Sequence, residues 1–338
     1  MKRKETKHKP IIAITIGDPA GVGPEVTVAA LAAKETYRLC RPLVIGDARV
    51  LTKAVELRKL PLAVRPVSTV AAARFTYGTI DVFDLANVEL DKLQVGQVSA
   101  LAGKAAVEYV IKAVQLAQSK EVNAIATGPL NKEAMNLAGF HYIGHTELLN
   151  DLTHTFRTST MLVAGNLRVT HVTRHIPLGE VARLITKERV LETIVVTDEG
   201  LRCLGLVHPR LAVAALNPHG GEGGLLGREE LEHIAPAVAE AQRMGIHAQG
   251  PYPADSIFFR AIAGEFDAVV AMYHDQGHIP VKVHDFEGSF TVTLSLPIVR
   301  TSVDHGTAFD IAWKGLASPR SMVEAIKAAA GMQIQSSK

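Results

Sequence analysis

Only two cysteines, Cys40 and Cys203, occur in this chain, and they form no CxxC pair. A disulfide framework is thereby excluded, and a reducing cytoplasm fits. Long apolar runs are missing too; none approaches the roughly 20 residues that span a bilayer. The basic start KRKETKHK leads into IIAITIG, which breaks at Gly17-Asp18-Pro19 as a strand entering a loop would. A signal peptide needs a longer apolar core and a small-residue cleavage site. Residues 1–9 therefore read as a disordered, solvated tail and 10–338 as the folded part. Charge of one sign is scarce as well. With 36 basic and 34 acidic residues the formal net charge is +2, so neither nucleic acid nor a membrane surface is expected as a partner.

Nucleotide signatures are also absent. GDPAGVGPE (17–25) is not GxGxxG, and no acidic residue ends a following strand at the fingerprint distance. Gly103-Lys104 is followed by Ala105 and lacks the upstream glycine of a phosphate-binding loop. His274 and His278 stand four apart but without the glutamate of HExxH, which excludes that protease class.

What is present is an alternation of apolar strands and amphipathic helices over 338 residues, too long for one ordinary core. It predicts an α/β chain of two interleaved lobes sharing a central cleft. Strands are expected at 11–16, 42–47, 61–67, 79–85, 123–128, 211–216 and 267–272. Helices are expected at 24–35, 97–120, 185–205 and 228–245, with a last helix over SPRSMVEAIKAAAGM. Leu101, Val107, Val110, Ile111 and Val114 mark the buried face of the longest helix, and Thr186 is a candidate cap. Gly165-Asn166 between two apolar runs signals a hairpin.

Three histidines follow strand-like runs: His175 after LRVTHVTR, His219 after LAVAALNP, and His274 in MYHDQGH after DAVVA. Ligand crevices of open α/β sheets lie at strand carboxyl ends. One such histidine alone reads as a hydrogen-bonded loop residue; three in the same setting point to one divalent ion (Zn, Mg, Co or Mn). HGGEGG (219–224) has glycines dense enough for close backbone approach, Gly220 and Gly221 foremost. His145-Thr146 entering a helix offers an anion cradle or a plain cap, and His278 reads as a wall or substrate-contacting residue. RTSVDHGTAFDIAWKG gathers Arg300, Asp304, His305, Gly306 and Asp310 in a ligand loop.

GDPAGVGPE, TGPLNKEAMNLAG, GHTE, NPHGGEGG, AMYHDQG and RTSVDHGTA occur here in that order. The series closely resembles the 4-hydroxythreonine-4-phosphate dehydrogenase family of pyridoxal-phosphate biosynthesis, from about residue 10 to 330. The resemblance implies the two-lobed isocitrate/isopropylmalate dehydrogenase-like fold, which binds NAD (or NADP) without a Rossmann fingerprint. HGTAFDIAWKG is similar to the HGSAPDIAGKG cofactor loop of isopropylmalate dehydrogenases. Position by position, the resemblance implies His175, His219 and His274 as metal ligands, with His274 reaching the site of a partner in a homodimer. It implies His145, Thr146, Lys282 and Arg300 as substrate contacts. One position departs: vitamin-pathway members carry Asn in a G-V-N-[IV]-T run where this chain has SFTVT, placing Thr291 there. QGHIP and FDIAWKG look more like a second subgroup, acting on threonate or erythronate 4-phosphate.

The implied reaction is oxidation and decarboxylation of a 4-phosphorylated four-carbon hydroxy acid. Its substrate is either 4-phosphohydroxythreonine or, alternatively, a D-threonate or D-erythronate 4-phosphate. Lys282 and Asp275 are both candidates for the base. A phosphohydrolase would be expected to show a carboxylate-rich metal site, and a mere binding protein would not need both a cofactor loop and a metal triad.

Overall fold

The computed structural model describes residues 9–332. The tail expected at 1–9 lies outside the described residues except for Lys9, whose ammonium donates to the Tyr37 carbonyl at 2.9 Å. In chain order the elements are β1 (Ile11–Thr15), α1 (Gly23–Leu31), α2 (Lys34–Leu39), β2 (Arg41–Gly46), α3 (Ala48–Leu57), β3 (Ala63–Val67), β4 (Thr79–Asp84), α4 (Ala100–Gln118), β5 (Ala124–Thr127), α5 (Lys132–Leu137) and α6 (His145–Thr153). Then come β6 (Ser159–Ala164), β7 (Leu167–His171), α7 (Val181–Leu184), α8 (Lys187–Cys203), β8 (Leu211–Ala214), α9 (Ala235–Arg243), β9 (Ala248–Tyr252), α10 (Ala254–Ile262), β10 (Ala268–Ala271), α11 (His274–His284), β11 (Phe290–Leu294), β12 (Val299–Val303) and α12 (Arg320–Gly331). Among the described residues no helix is long and apolar enough to cross a membrane.

The chain divides into two compact units, residues 9–154 with 297–332 and residues 155–296. In the first, strands run in the order β3-β4-β2-β1-β5-β12, every pair parallel. Parallel strands are covered on both faces and read as continuous apolar runs. Accordingly Ile12, Ile14, Leu43, Ile45 and Ile125 are fully buried, each worth roughly 1.5–3 kcal/mol. The buried face of α4 is richer in small residues than its sequence suggests. Ala102, Ala106, Tyr109 and Ala113 face inward with Val107, Val110 and Val114, whereas Leu101 and Ile111 are only half-buried. Close packing is the reason: a side chain at Gly103 would meet the Ala134 carbonyl at 2.1 Å.

The second unit has the order β11-β6-β7-β10-β8-β9. Here β6 pairs antiparallel with both β11 and β7, the hairpin turning at Gly165-Asn166 as its sequence signals, while β7, β10, β8 and β9 run parallel. Thr186 caps α8, its side chain accepting from Arg189 N. Where no helix is expected from the sequence, HDQGH (274–278) opens helix α11, directly after Tyr273.

The glycines of GDPAGVGPE serve packing. Gly17 is left-handed at φ +70, and a side chain there would strike the Pro129 carbonyl at 2.3 Å. Gly21 lets the turn lie on the loop after β12, with Val22 N donating to Thr307 O at 3.0 Å. Trp313 Nε1 donates to Pro19 O at 3.1 Å. Within this turn Asp18 is wholly buried. Its Oδ1 accepts from Ala20 N at 2.8 Å, but Oδ2 has no hydrogen-bond partner. Burial pushes its carboxyl from 3.8 up to about 6. A carboxyl raised on folding lowers stability above its folded pKa and costs nothing below its unfolded one. The difference of about 2 units corresponds to an order of 3 kcal/mol. Asp18→Asn should therefore gain on the wild type as pH rises from about 4 to 6 and hold that gain above 6. Urea midpoints of both proteins at pH 4 and 7.5 check this, and a pH-independent difference would refute it.

Candidate functional site

In the second unit, the carboxyl ends of β7, β8 and β10 carry the histidines. Gln276 fixes this region: its Oε1 accepts from Met272 N at 2.6 Å and its Nε2 donates to Ala215 O at 2.7 Å. One amide thus ties the start of α11 to the ends of β10 and β8. Gly277 is demanded by contact, since a side chain there would lie 2.2 Å from His171 Nε2. His274, His278 and Lys282 follow at i, i+4 and i+8, one face of the helix.

These positions build an imidazole cluster. The His274 and His278 rings stack at 3.6 Å with 10° between planes. His171 lies 4.8 Å from His278, and His175 lies 5.8 Å from His274. His274 Nδ1 meets Asp275 Oδ1 at 2.7 Å, which leaves Nε2 as the ring's other nitrogen. Asp275, a candidate base by sequence, is thus engaged with a histidine. His171 is buried, and burial first, then His278, His274 and Arg174, holds it well below the usual histidine range. Beside the cluster is a cavity of about 590 Å³ lined by His175, His274, Tyr273 and Leu178 among others.

His219 stands apart from these ring contacts. It opens a left-handed run in which His219, Gly220, Gly221, Glu222 and Gly223 all have φ between 45 and 76. Non-glycine residues adopt that conformation only under constraint. The segment leading into the run is held by Glu230, a buried carboxylate. Its Oε1 accepts from Leu216 N and Asn217 N, both at 2.8 Å, and its Oε2 from Asn217 Nδ2 at 2.9 Å. Gly221 is explained by the same group, for a side chain there would reach Glu230 Oε2 at 2.6 Å. Gly220 has open space. Among the described residues no three His, Cys, Asp or Glu side chains are gathered to hold a metal ion. Lys282 Nζ donates to Ser289 Oγ at 3.1 Å, and Thr291 on β11 is half-buried.

In the first unit, Arg300 on β12 is buried beside β5, with Nε and Nη2 donating to Thr127 Oγ1 at 3.2 and 2.8 Å. Burial lowers its pKa to about 9, so the guanidinium is charged at neutral pH. His145 is the first residue of α6. Burial, then Arg300, holds it well below the usual range, and its Nε2 has no hydrogen-bond partner. A neutral imidazole near a buried cation suits an anion. No side-chain bond caps α6, so Thr146 is not its cap. Asp304, His305 and Gly306 begin the loop after β12, and Asp304 N donates to Ser321 Oγ at 3.1 Å. Asp310 is exposed.

Sequence reasoning missed His171, Thr127 and Glu230. His171 had a visible signal, a histidine ending an apolar strand four residues before His175; the other two had none.

The model of a family described as pyridoxal phosphate biosynthetic protein PdxA matches residues 38–329. The chain belongs to this family. A Clostridium botulinum relative provisionally named D-threonate 4-phosphate dehydrogenase is 50% identical over 323 residues, 96% of this chain and 97% of that protein. A solved 4-hydroxythreonine-4-phosphate dehydrogenase from Burkholderia phymatum is 49% identical, with TM-score 0.86 over 97% of this chain and 100% of the other. That of Klebsiella pneumoniae is 44% identical, with TM-score 0.87 over 95% and 98%. Relatives in this PdxA family are named as dehydrogenases, oxidoreductases acting on a hydroxyl group.

Thr127→Val should destabilise the protein by about 1.5–3 kcal/mol, the usual worth of a hydrogen bond to a charged group, and Thr127→Ser should restore most of it. Denaturant midpoints read the effect; a valine variant as stable as wild type would remove Thr127 from the account of Arg300.

Proposed function

We propose that this chain is a metal- and NAD-dependent oxidative decarboxylase of a 4-phosphorylated four-carbon hydroxy acid, with D-threonate 4-phosphate preferred to 4-phosphohydroxythreonine. The observation that carries it is the pairing of His274 Nδ1 with Asp275 at the edge of a cavity. Imidazoles held this way fit a divalent ion. His175 and His219 of one chain with His274 of the partner subunit would form the ligand set. A homodimer is supported by Leu178, Ile279, Val283 and Phe286, large apolar side chains exposed beside the cluster, Val283 to 83%.

When bound, the ion supplies a Lewis acid for the substrate's hydroxyl and carboxylate, and NAD supplies the hydride acceptor. The chain's own groups do the rest. Arg300 and His145 bind the anionic substrate, with Thr146 assisting, the guanidinium suited to a bidentate carboxylate or phosphate contact. Lys282, its Nζ held by Ser289 Oγ, takes the hydroxyl proton as the neutral amine. The loop of Asp304, His305, Gly306 and Asp310 holds the cofactor, with Gly220 leaving room for close backbone approach. Oxidation of the hydroxyl carbon gives a β-keto acid, which loses CO₂ readily.

Preference for the aldonate is supported by Thr291 and by the names of relatives near 50% identity. Asn offers a donor and an acceptor on a longer arm, whereas Thr offers one hydroxyl and a methyl. Exchanging one polar partner shifts selectivity by roughly tenfold to a hundredfold. NADH formation with both substrates should give the higher kcat/KM for D-threonate 4-phosphate, and Thr291→Asn should move the ratio toward 4-phosphohydroxythreonine. A wild type that prefers the amino substrate by several hundredfold would contradict this reading, and an unchanged ratio in the variant would remove Thr291 as the discriminator.

A further inference from the structure

His278 is a half-buried residue that the reaction as described does not use. Its ring lies face-on to His274 at 3.6 Å and 10°, while its Nδ1 meets the His274 carbonyl oxygen at 2.9 Å. A carbonyl only accepts, so Nδ1 carries the proton. Behind it, His171 fills the space that a side chain at 277 would need, with its ring 4.8 Å from that of His278. Three rings therefore form a column from the interior of the second unit to His274. Asp275 fixes the edge of the His274 ring through Nδ1; the column fixes its face.

We propose that His278, backed by His171, is a positioning residue that holds the plane of the His274 imidazole for divalent-ion binding. The inference rests on His274 being a metal ligand. Edge contact alone leaves the ring free to rotate about its Cβ–Cγ bond within the reach of Asp275; a flat neighbour at stacking distance removes that freedom. Groups that orient a ligating histidine typically change metal affinity by 10–100-fold when lost.

The test uses the full-length protein stripped with a chelator and titrated with Co²⁺ alone, read by calorimetry and by the visible absorption of the bound ion. His274→Ala should lose binding and absorption. His278→Leu should bind Co²⁺ about 10–100-fold more weakly, with altered bands. His278→Phe, which keeps a flat ring on the stack, should stay within about threefold of wild type and keep the bands. Wild-type affinity and spectrum in His278→Leu, with binding abolished in His274→Ala, would overturn the positioning role and leave the metal reading intact. A phenylalanine variant as weak as the leucine expectation would overturn stacking as the cause, and it serves if the leucine variant does not fold. Undiminished Co²⁺ binding in His274→Ala would sink the metal reading and this inference together.

Discussion

The Gln276 side chain holds together the region on which the rest of the second unit's chemistry depends. Its amide joins the ends of β10 and β8 to the first turn of α11 with bonds of 2.6 and 2.7 Å. A short parallel sheet can present ligands only at its carboxyl edge, and only if the loops there have a fixed register. Once α11 starts at His274, helical spacing puts His278 and Lys282 on the same face, and Gly277 allows β7 to bring His171 against them. Most residues of MYHDQGH then have a reason. His274 pairs with the Asp275 carboxylate, Gln276 is the clamp, Gly277 is a close approach, and His278 stacks flat on His274.

The two units present different groups. The first offers a buried guanidinium and a neutral imidazole, groups whose burial is costly unless an anion shares the charge. The second offers clustered imidazoles and a left-handed glycine turn whose entry is held by a buried glutamate.

Strand–helix alternation made most of the fold legible in the sequence, because parallel strands must be apolar and their helices amphipathic. The Gly165-Asn166 hairpin and the Thr186 cap were legible for local reasons. α11 was not read as a helix, since Gly277 and Pro280 lie inside it and lower its helical propensity. Small residues misled the reading of α4, where alanines pack more closely than the larger residues beside them. In the site, His175, His219 and His274 could be singled out by their place after apolar runs. Glu230 and Thr127 could not: a glutamate in a charged helix start and a threonine in a strand look like solvated or filler residues until their hydrogen bonds are seen. His171 carried the same signal, a histidine ending an apolar strand, but was passed over for His175 four residues on.

On the proposed reading, two chains build each metal site. His175→Ala and His274→Ala subunits, each inactive alone, should recover activity when unfolded together and refolded as mixed dimers. In such a dimer one site keeps His175 from one chain and His274 from the other, while the second site loses both. Mixed dimers should show about half the wild-type activity per dimer, with one ion bound where the wild type binds two. Mixed dimers that stay inactive and bind no metal would contradict the account, because they would mean that each site takes His175 and His274 from the same chain.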